Sequence, residues 1–281
     1  MAEKDSGFRL DKYLADMKAG SRSEVKTMIR KGRVSVNGRI VCDAGCKVAK
    51  NDTVLLDGKS FEYTSMEYIM LNKPAGVLSA TKDKNQKTVL DLVSDARRKD
   101  LFPVGRLDRD TEGLLLLTND GALAHRLLSP KKHVDKVYFA RVCGRVTERE
   151  VLKFQQGFLL EQDVNAESGK EFFCLPAKLE ILKFQSDDSI SDFLDTEGGE
   201  HNLNSGISEV RLTIHEGKFH QVKRMFEAVG MKVLYLKRLS MGSLSLDEAL
   251  APGEYRYLTK TEIQELSENA FGSFIVSGTK E

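Results

Sequence analysis

The stretch VGRLDRDTEGLLLLTNDG, residues 104–121, places two carboxylates, Asp108 and Asp110, in a polar turn and then runs into four consecutive leucines. An apolar run closed by Thr118-Asn119-Asp120-Gly121 reads as a buried strand ending in a tight turn. A carboxylate held at the mouth of such a strand has three physical uses. It can hold a metal or phosphate, act as a covalent or acid–base catalyst, or satisfy the backbone of its own turn. The rest of the chain has to choose.

Outward from that stretch, strand and turn signals dominate. EYIMLNKPAGVLS (67–79) is an apolar strand stopped by Pro74 and Gly76, and KVYFARVCG, CLPAKLEIL, EVRLTIHEG and KVLYLKRLSMG follow in the same style. Helical patterns lie between them: ALAHRLLSP after Gly121, TEREVLKFQQG from Thr147, HQVKRMFEAVG up to Gly230, and YLTKTEIQEL with Thr259 and Glu262 as a capping box. Strands outnumber helices without βαβ alternation, so the expected class is α+β with a mainly antiparallel sheet and flanking helices. Residues 184–207 are acidic, rich in small residues and aperiodic, which predicts a flexible solvated loop joining two strands of a long hairpin.

The N-terminal end is different in kind. RLDKYLADMKAG puts Leu10, Tyr13, Leu14 and Met17 at helical spacing before Gly20, and SRSEVKTMIRKG gives a second helix capped by Ser21 or Ser23. RVSVNGRIV alternates around Asn37-Gly38, a hairpin signal, and NDTVLLDG closes the module near Gly58. Arg22, Lys26 and Arg30 share one outer helix face, and Glu24 is the only acid between Arg22 and Arg39. A one-signed face of this kind suits phosphate neutralisation.

Composition bounds the rest. The 281 residues carry a formal net charge of only +1, but this balance hides a basic N-terminal patch and the acidic run Asp187–Glu200. Cys42, Cys46, Cys143 and Cys174 lack disulfide or zinc spacing, and read as free thiols of a reducing cytosol. MAEKDSGFRL has no apolar signal region, and no apolar run approaches membrane length. The expectation is a cytoplasmic protein without a membrane partner.

Two resemblances follow from these motifs. FRLDKYLADMKAGSRSEVKTMIRKGRVSVNGRIV with KVAKNDTVLLDG resembles the S4 RNA-binding domain. It implies contacts to structured RNA from Arg9, Lys12, Ser21, Arg22, Ser23, Lys26, Arg30, Lys31 and Arg33. GRLDRDTEGLLLLTNDG resembles the active-site motif of RNA pseudouridine synthases, together with LNKPAGVLS, KVYFARV and EGKFHQVKRMFEAVG. This resemblance implies Asp108 as the catalyst, Tyr138 and Lys223 as further catalytic residues, and Arg106, Thr111 and Arg224 in support. Asp110 is left to the turn. The S4 module and HQVKRM point to the branch of small-subunit ribosomal RNA uridine synthases. The implied architecture is an S4 module at 1–60 and a catalytic domain at 66–270, working as a monomer on ribosomal RNA or an assembling subunit.

The chemistry is consistent with that set of residues. Converting uridine to pseudouridine breaks N1–C1′, turns the uracil and rejoins it through C5, so no cofactor and no metal are implied. An ionised carboxylate can attack C1′ or remove the 2′-proton, and the residues leave both routes open. A carboxylate in a pocket for an extruded base calls for a cation opposite it, and Lys223 is the first choice, Arg224 the second. Two alternatives stay open. An S4 protein with a silent synthase fold could serve as an RNA-binding assembly factor. Asp108-x-Asp110 followed by Thr111 also resembles the nucleophile motif of magnesium-dependent phosphatases, although Pro103–Leu107 is a poor substitute for the buried strand that motif requires.

Overall fold

Residues 7–160, 171–186 and 206–269 are described by the computed structural model. In the first part of the chain, the elements are β1 (Phe8–Arg9), α1 (Leu10–Asp16), α2 (Arg22–Arg30), β2 (Val34–Val36), β3 (Arg39–Ile40), β4 (Lys47–Val48), β5 (Val54–Leu56) and β6 (Lys59–Phe61). Leu10, Tyr13 and Leu14 of α1 pack with Val25 and Ile29 of α2 against Val34, Val48 and Val54, all fully buried. Each such aliphatic side chain contributes about 1.5–3 kcal/mol on burial. The helix ends are those the sequence announces. Ser21 accepts from the Glu24 N–H while the Glu24 carboxylate accepts from the Ser21 N–H, a complete capping box. Asn37 and Gly38 take positive φ of 49° and 78° in the β2–β3 turn.

A second turn of the same kind was not expected. Asp57 and Gly58 have φ of 50° and 78° and lead into β6, so the sheet runs β3-β2-β5-β6 and continues past Gly58. The compact unit also takes in residues up to Glu67 and the distant segment Val93–Phe102. Arg98 explains the attachment: its guanidinium bonds Asp100 at 2.6 Å, lies 3.8 Å from Asp16 and sits over the Tyr63 ring. Glu67 accepts the N–H groups of Arg97 and Arg98.

The second unit comprises Tyr68–Leu92 and the residues from Pro103 onward. After β7 (Tyr68–Lys73) and β8 (Phe102–Pro103) come β9 (Glu112–Thr118), α3 (Gly121–Leu128), β10 (Lys136–Cys143), α4 (Glu148–Gln156), β11 (Phe158–Leu160) and β12 (Phe172–Cys174). The chain continues through β13 (Lys178–Ser186), β14 (Gly206–Ile214), α5 (Gln221–Glu227), β15 (Val233–Met241), β16 (Leu244–Ser245), β17 (Tyr255–Tyr257) and α6 (Lys260–Asn269). The main sheet has the order β13-β14-β10-β15-β9-β7-β17. Its long pairs are antiparallel, as the strand–turn pattern implied, and β9 with β15 is parallel. The architecture is α+β. Strands β13 and β14 pair antiparallel as expected, but the pairing runs out to Ser186 and Gly206, with a register shift between Ile181 and Lys183. Residues 184–186 and 206–207 are therefore strand and not loop; the Phe184 ring lies under Arg145. Residues 187–205, the bulk of the acidic stretch, lie outside the described residues.

The parallel pair fixes the site. Gly113 of β9 stands opposite Arg238 of β15, and a Cβ there would meet the Arg238 carbonyl oxygen at 2.3 Å. With φ of 97° as well, only glycine fits. The turn carrying Asp108 lies five residues before this close approach.

Candidate active site

Asp108 lies in the turn between Val104 and β9, and that turn is clamped from behind. Lys73, the last residue of β7, is fully buried and directs its ammonium at four carbonyl oxygens: Pro74 at 3.0 Å, Asp108 at 3.1 Å, Arg109 at 3.2 Å and Thr111 at 2.9 Å. Burial pushes Lys73 down to about 8, against the pull of Asp110, Asp108 and Glu112. Ser79 donates its hydroxyl to the Leu107 carbonyl at 2.8 Å, and Gly76 N–H donates to the Arg109 carbonyl at 2.7 Å. The backbone carrying Asp108 is thus held by bonds from three positions of the Lys73–Ser79 segment.

The Asp108 carboxylate, 25 % exposed, faces α5. Lys223 Nζ lies 3.6 Å from one oxygen and His220 Nε2 lies 3.6 Å from the other. Lys223 nevertheless makes its short bonds elsewhere, to Asp110 at 2.6 and 2.8 Å. Burial alone would raise the Asp110 carboxyl, but the hydrogen bond and charge of Lys223 outweigh it and hold it below the usual carboxylate range. Asp110, 70 % exposed, is therefore more than a turn residue: it shares the cation with Asp108. A narrow cleft of about 50 Å³, open to solvent, lies beside Asp108, lined by Arg106, Leu107, Thr111, Tyr138, Ile214, Gly217, Lys218, His220, Gln221, Val222 and Leu236.

The structure brings Asp108, Arg106, Thr111 and Tyr138 to one cleft, with Lys223 at its edge. Tyr138 is buried in the wall on β10, Arg106 is exposed, and the buried Thr111 hydroxyl has no hydrogen-bond partner among the described residues. Arg224 is not brought there. One residue along a helix turns a side chain by about 100°, and its guanidinium lies over the Phe172 ring at 4.7 Å. His215 and His220 also diverge. His215 Nδ1 is 2.8 Å from Asp135, whereas His220 takes a left-handed φ of 48° and faces Asp108. In the first unit, Arg9, Arg22 and Lys26 gather around Asp11, Arg33 is ion-paired with Asp57, and Lys12, Arg30 and Lys31 are exposed. Ser21 and Ser23 share a hydroxyl–hydroxyl bond of 3.1 Å at the start of α2.

Residues 67–228 match the RNA pseudouridylate synthase family, and residues 8–54 match the S4 domain. The chain belongs to the RNA pseudouridylate synthase family. It is 45 % identical to the uncharacterized RNA pseudouridine synthase YtzG of Bacillus subtilis, over 93 % of this chain and 99 % of that protein. Identity is 36 % with ribosomal small subunit pseudouridine synthase A of Vibrio cholerae (91 % and 98 % covered) and 38 % with ribosomal large subunit pseudouridine synthase B of Bacillus subtilis (92 % and 95 %). A crystal structure of a pseudouridylate synthase superposes with a TM-score of 0.58 at 35 % identity, covering 92 % of this chain and 99 % of that one. The protein is thus an RNA pseudouridine synthase, and the phosphatase and assembly-factor alternatives fall away.

Within this synthase, sequence reasoning missed the parts that hold the cleft. Lys73 was visible only as a lysine ending an apolar strand, a pattern that ordinarily places the ammonium in water. Glu216 is buried and accepts from Leu175 N–H and from Gln221 Nε2, with Lys218 Nζ at 3.1 Å. That buried carboxylate pins the turn carrying His220. The string EGKFHQ contains Glu216, Lys218, His220 and Gln221, but nothing in their spacing announces the pairing.

Proposed function

We propose that the protein converts a uridine of small-subunit ribosomal RNA to pseudouridine, with Asp108 as the catalytic carboxylate, Tyr138 against the extruded uracil and Lys223 as the opposing cation. The observation that carries this reading is a single one. A carboxylate on a backbone clamped by Lys73 and Ser79 stands at the edge of a solvent-open cleft with Tyr138 in its wall.

The geometry suits the chemistry. Extruding the base brings C1′ to the cleft mouth, where the Asp108 carboxylate can act on the sugar while N1–C1′ breaks. The uracil turns within the cleft, C5 bonds to C1′, and the C5 proton leaves. Lys223 stabilises the negative charge that Asp108 presents, and Asp110 limits how close it comes. The exposed Arg106 is placed to meet the backbone beside the extruded nucleotide. Thr111 carries a hydroxyl with bonding capacity to spare next to Asp108.

Residues 1–60 serve in this reading as the RNA-gripping module and 66–270 as the catalytic domain. Arg9, Lys12, Ser21, Arg22, Ser23, Lys26, Arg30, Lys31 and Arg33 form the gripping face. The four free thiols suit a reducing cytosol, and one chain holds the grip and the cleft, as a monomer requires. The small-subunit choice is supported by the Vibrio relative; the Bacillus large-subunit relative supports the competing one.

The test is tritium release from C5-labelled uridine in transcripts of small- and large-subunit ribosomal RNA. The wild type should release tritium from the small-subunit transcript, and Asp108→Asn should lower this by roughly 10²–10⁴-fold or more while RNA affinity holds. Near-normal release by Asp108→Asn would overturn the catalytic assignment. Release confined to the large-subunit transcript would move the substrate and leave the chemistry standing.

A further inference from the structure

Three cations of the first unit share one buried anion. The Asp11 side chain is 0 % exposed, and Arg9 Nε lies 3.2 Å from it, Arg22 Nε 3.3 Å and Lys26 Nζ 3.9 Å. Both guanidinium groups present the same edge. Arg9 bonds through Nε and Nη2, and Arg22 likewise, the Nη2 distances being 3.3 and 3.4 Å. Burial alone would raise the Asp11 carboxyl, and the hydrogen bonds from Arg9 and Arg22 reverse this and hold it below the ordinary aspartate range. The charge of Asp43 adds a weaker pull on Arg9.

An arginine has two edges that make forked hydrogen bonds. With the Nε–Nη2 edge turned to Asp11, the Nη1–Nη2 edge is left for a second anion. The Arg9, Arg22 and Lys26 side chains are each about half exposed, so a second anion can approach them from solvent. Burying a carboxylate is costly, and ion pairs to half-exposed partners return little stability to the fold. What the arrangement does provide is orientation. Long cationic side chains that are held before RNA arrives lose less rotamer freedom when they bind it. Three cations around one anion also keep a local excess of positive charge, beside the start of α2, where the Ser21 and Ser23 hydroxyls lie.

We propose that Asp11 is a positioning residue for RNA binding, fixing Arg9, Arg22 and Lys26 as one seat for a backbone phosphate of folded RNA. The seat rests on the reading of this unit as the RNA grip. Charge counting and the seat disagree about sign. If charge alone mattered, deleting the Asp11 carboxylate would tighten binding to every RNA, and exchanging arginine for lysine would change nothing. If orientation matters, both changes weaken binding to folded RNA.

The experiment measures the Kd of the full-length protein for a small-subunit ribosomal RNA transcript and for polyuridylate, with thermal unfolding run alongside. Arg22→Lys keeps the charge, but an ammonium bound to Asp11 has no second edge. Its Kd for the transcript should rise about five- to ten-fold, with polyuridylate binding little changed. Asp11→Asn should raise the transcript Kd by a similar factor although the protein becomes more positive, and polyuridylate binding should hold or tighten. Should Asp11→Asn fail to fold, Arg22→Lys decides alone, since an exposed arginine-to-lysine change spares the core. Unchanged transcript affinity in Arg22→Lys, or tighter binding of both RNAs by Asp11→Asn, overturns the seat. Joint reversal of Arg22 and Lys26 to Glu tests the underlying reading separately. If reversal weakens binding while Arg22→Lys does not, the seat alone is wrong; if reversal changes nothing, the unit is not the grip.

Discussion

Lys223 has two carboxylates within reach and sits closer to the one that does not face the cleft wall. Asp110→Asn removes that competitor, so Lys223 is expected to settle on Asp108. The change in tritium release should stay within about ten-fold, because one exposed ion pair contributes on the order of 1 kcal/mol. Lys223→Met removes the cation from both carboxylates and should cost far more than Asp110→Asn; equal losses in the two variants would contradict the shared-cation geometry. Gly113→Ala acts on the fold instead. Positive φ and a Cβ at 2.3 Å from the Arg238 carbonyl add strain to overpacking, which together should cost about 3–5 kcal/mol by urea unfolding. That Asp108, Tyr138 and Lys223 would come near one another was legible, because the resemblance fastens on whole strings such as GRLD, KVYFARV and HQVKRM. The role of Asp110 and the buried ammonium of Lys73 were not, since each depends on a partner more than 30 residues away.

Helix ends were the most readable elements, because a cap is a local chemical event. Ser21 with Glu24, Thr147 with Glu150 and Thr259 with Glu262 all bond as the sequence spells them. The last has a further tie: Arg256 of β17 bonds both oxygens of Glu262 at 2.8 and 2.9 Å and Asp247 at 2.6 Å. The Arg256 hydrogen bond, outweighing burial, holds Glu262 down at about 2. A carboxyl lowered on folding stabilises fully above its unfolded pKa of about 4.5 and loses that contribution as pH falls toward 2. Glu262→Gln should therefore speed hydrogen exchange across 260–269 at pH 7 and flatten the acid limb of stability between pH 4.5 and 2. An unchanged acid limb would place the acid sensitivity elsewhere. Sheet order lay beyond local reading. Strands β10, β14 and β15 carry similar apolar alternation, and which neighbours which is decided by partners 60 to 100 residues apart. The Asp57-Gly58 turn into β6 was missed because Lys59, Ser60 and Phe61 lack an apolar run of their own.

At the scale of the whole molecule, buried basic groups should set the alkaline behaviour. Burial pushes Lys73 and Lys136 down to about 8 from 10.5, the latter with help from Arg238. Between those values the unfolded chain binds more protons than the folded one, so stability rises with pH, by about 2 kcal/mol per lysine from pH 8 to 10. Tyr68 and Tyr235 work in the opposite sense. Burial and their bonds to Asp120 and Glu112 raise them to about 12, so stability falls above pH 10, where the unfolded tyrosines ionise first. Urea unfolding should show a maximum near pH 10, with Lys136→Met losing part of the rise. A steady decline from pH 8 would contradict it.

The parallel pairing of β9 with β15 also sets a calendar for the growing chain. Everything in the first compact unit has been synthesised once residue 102 is made, whereas the strand that seats Gly113 needs residues 233–241. At 5–20 residues per second, roughly 7–30 s of translation separate the two events. During that interval the nascent chain carries its proposed RNA grip but not the β9–β15 pairing beside the Asp108 turn. Chains stalled with residues 1–110 outside the ribosome should retain a labelled RNA, and chains stalled before residue 233 should release no tritium from it. The order of the strands thus has the proposed grip complete before the proposed catalytic turn is seated.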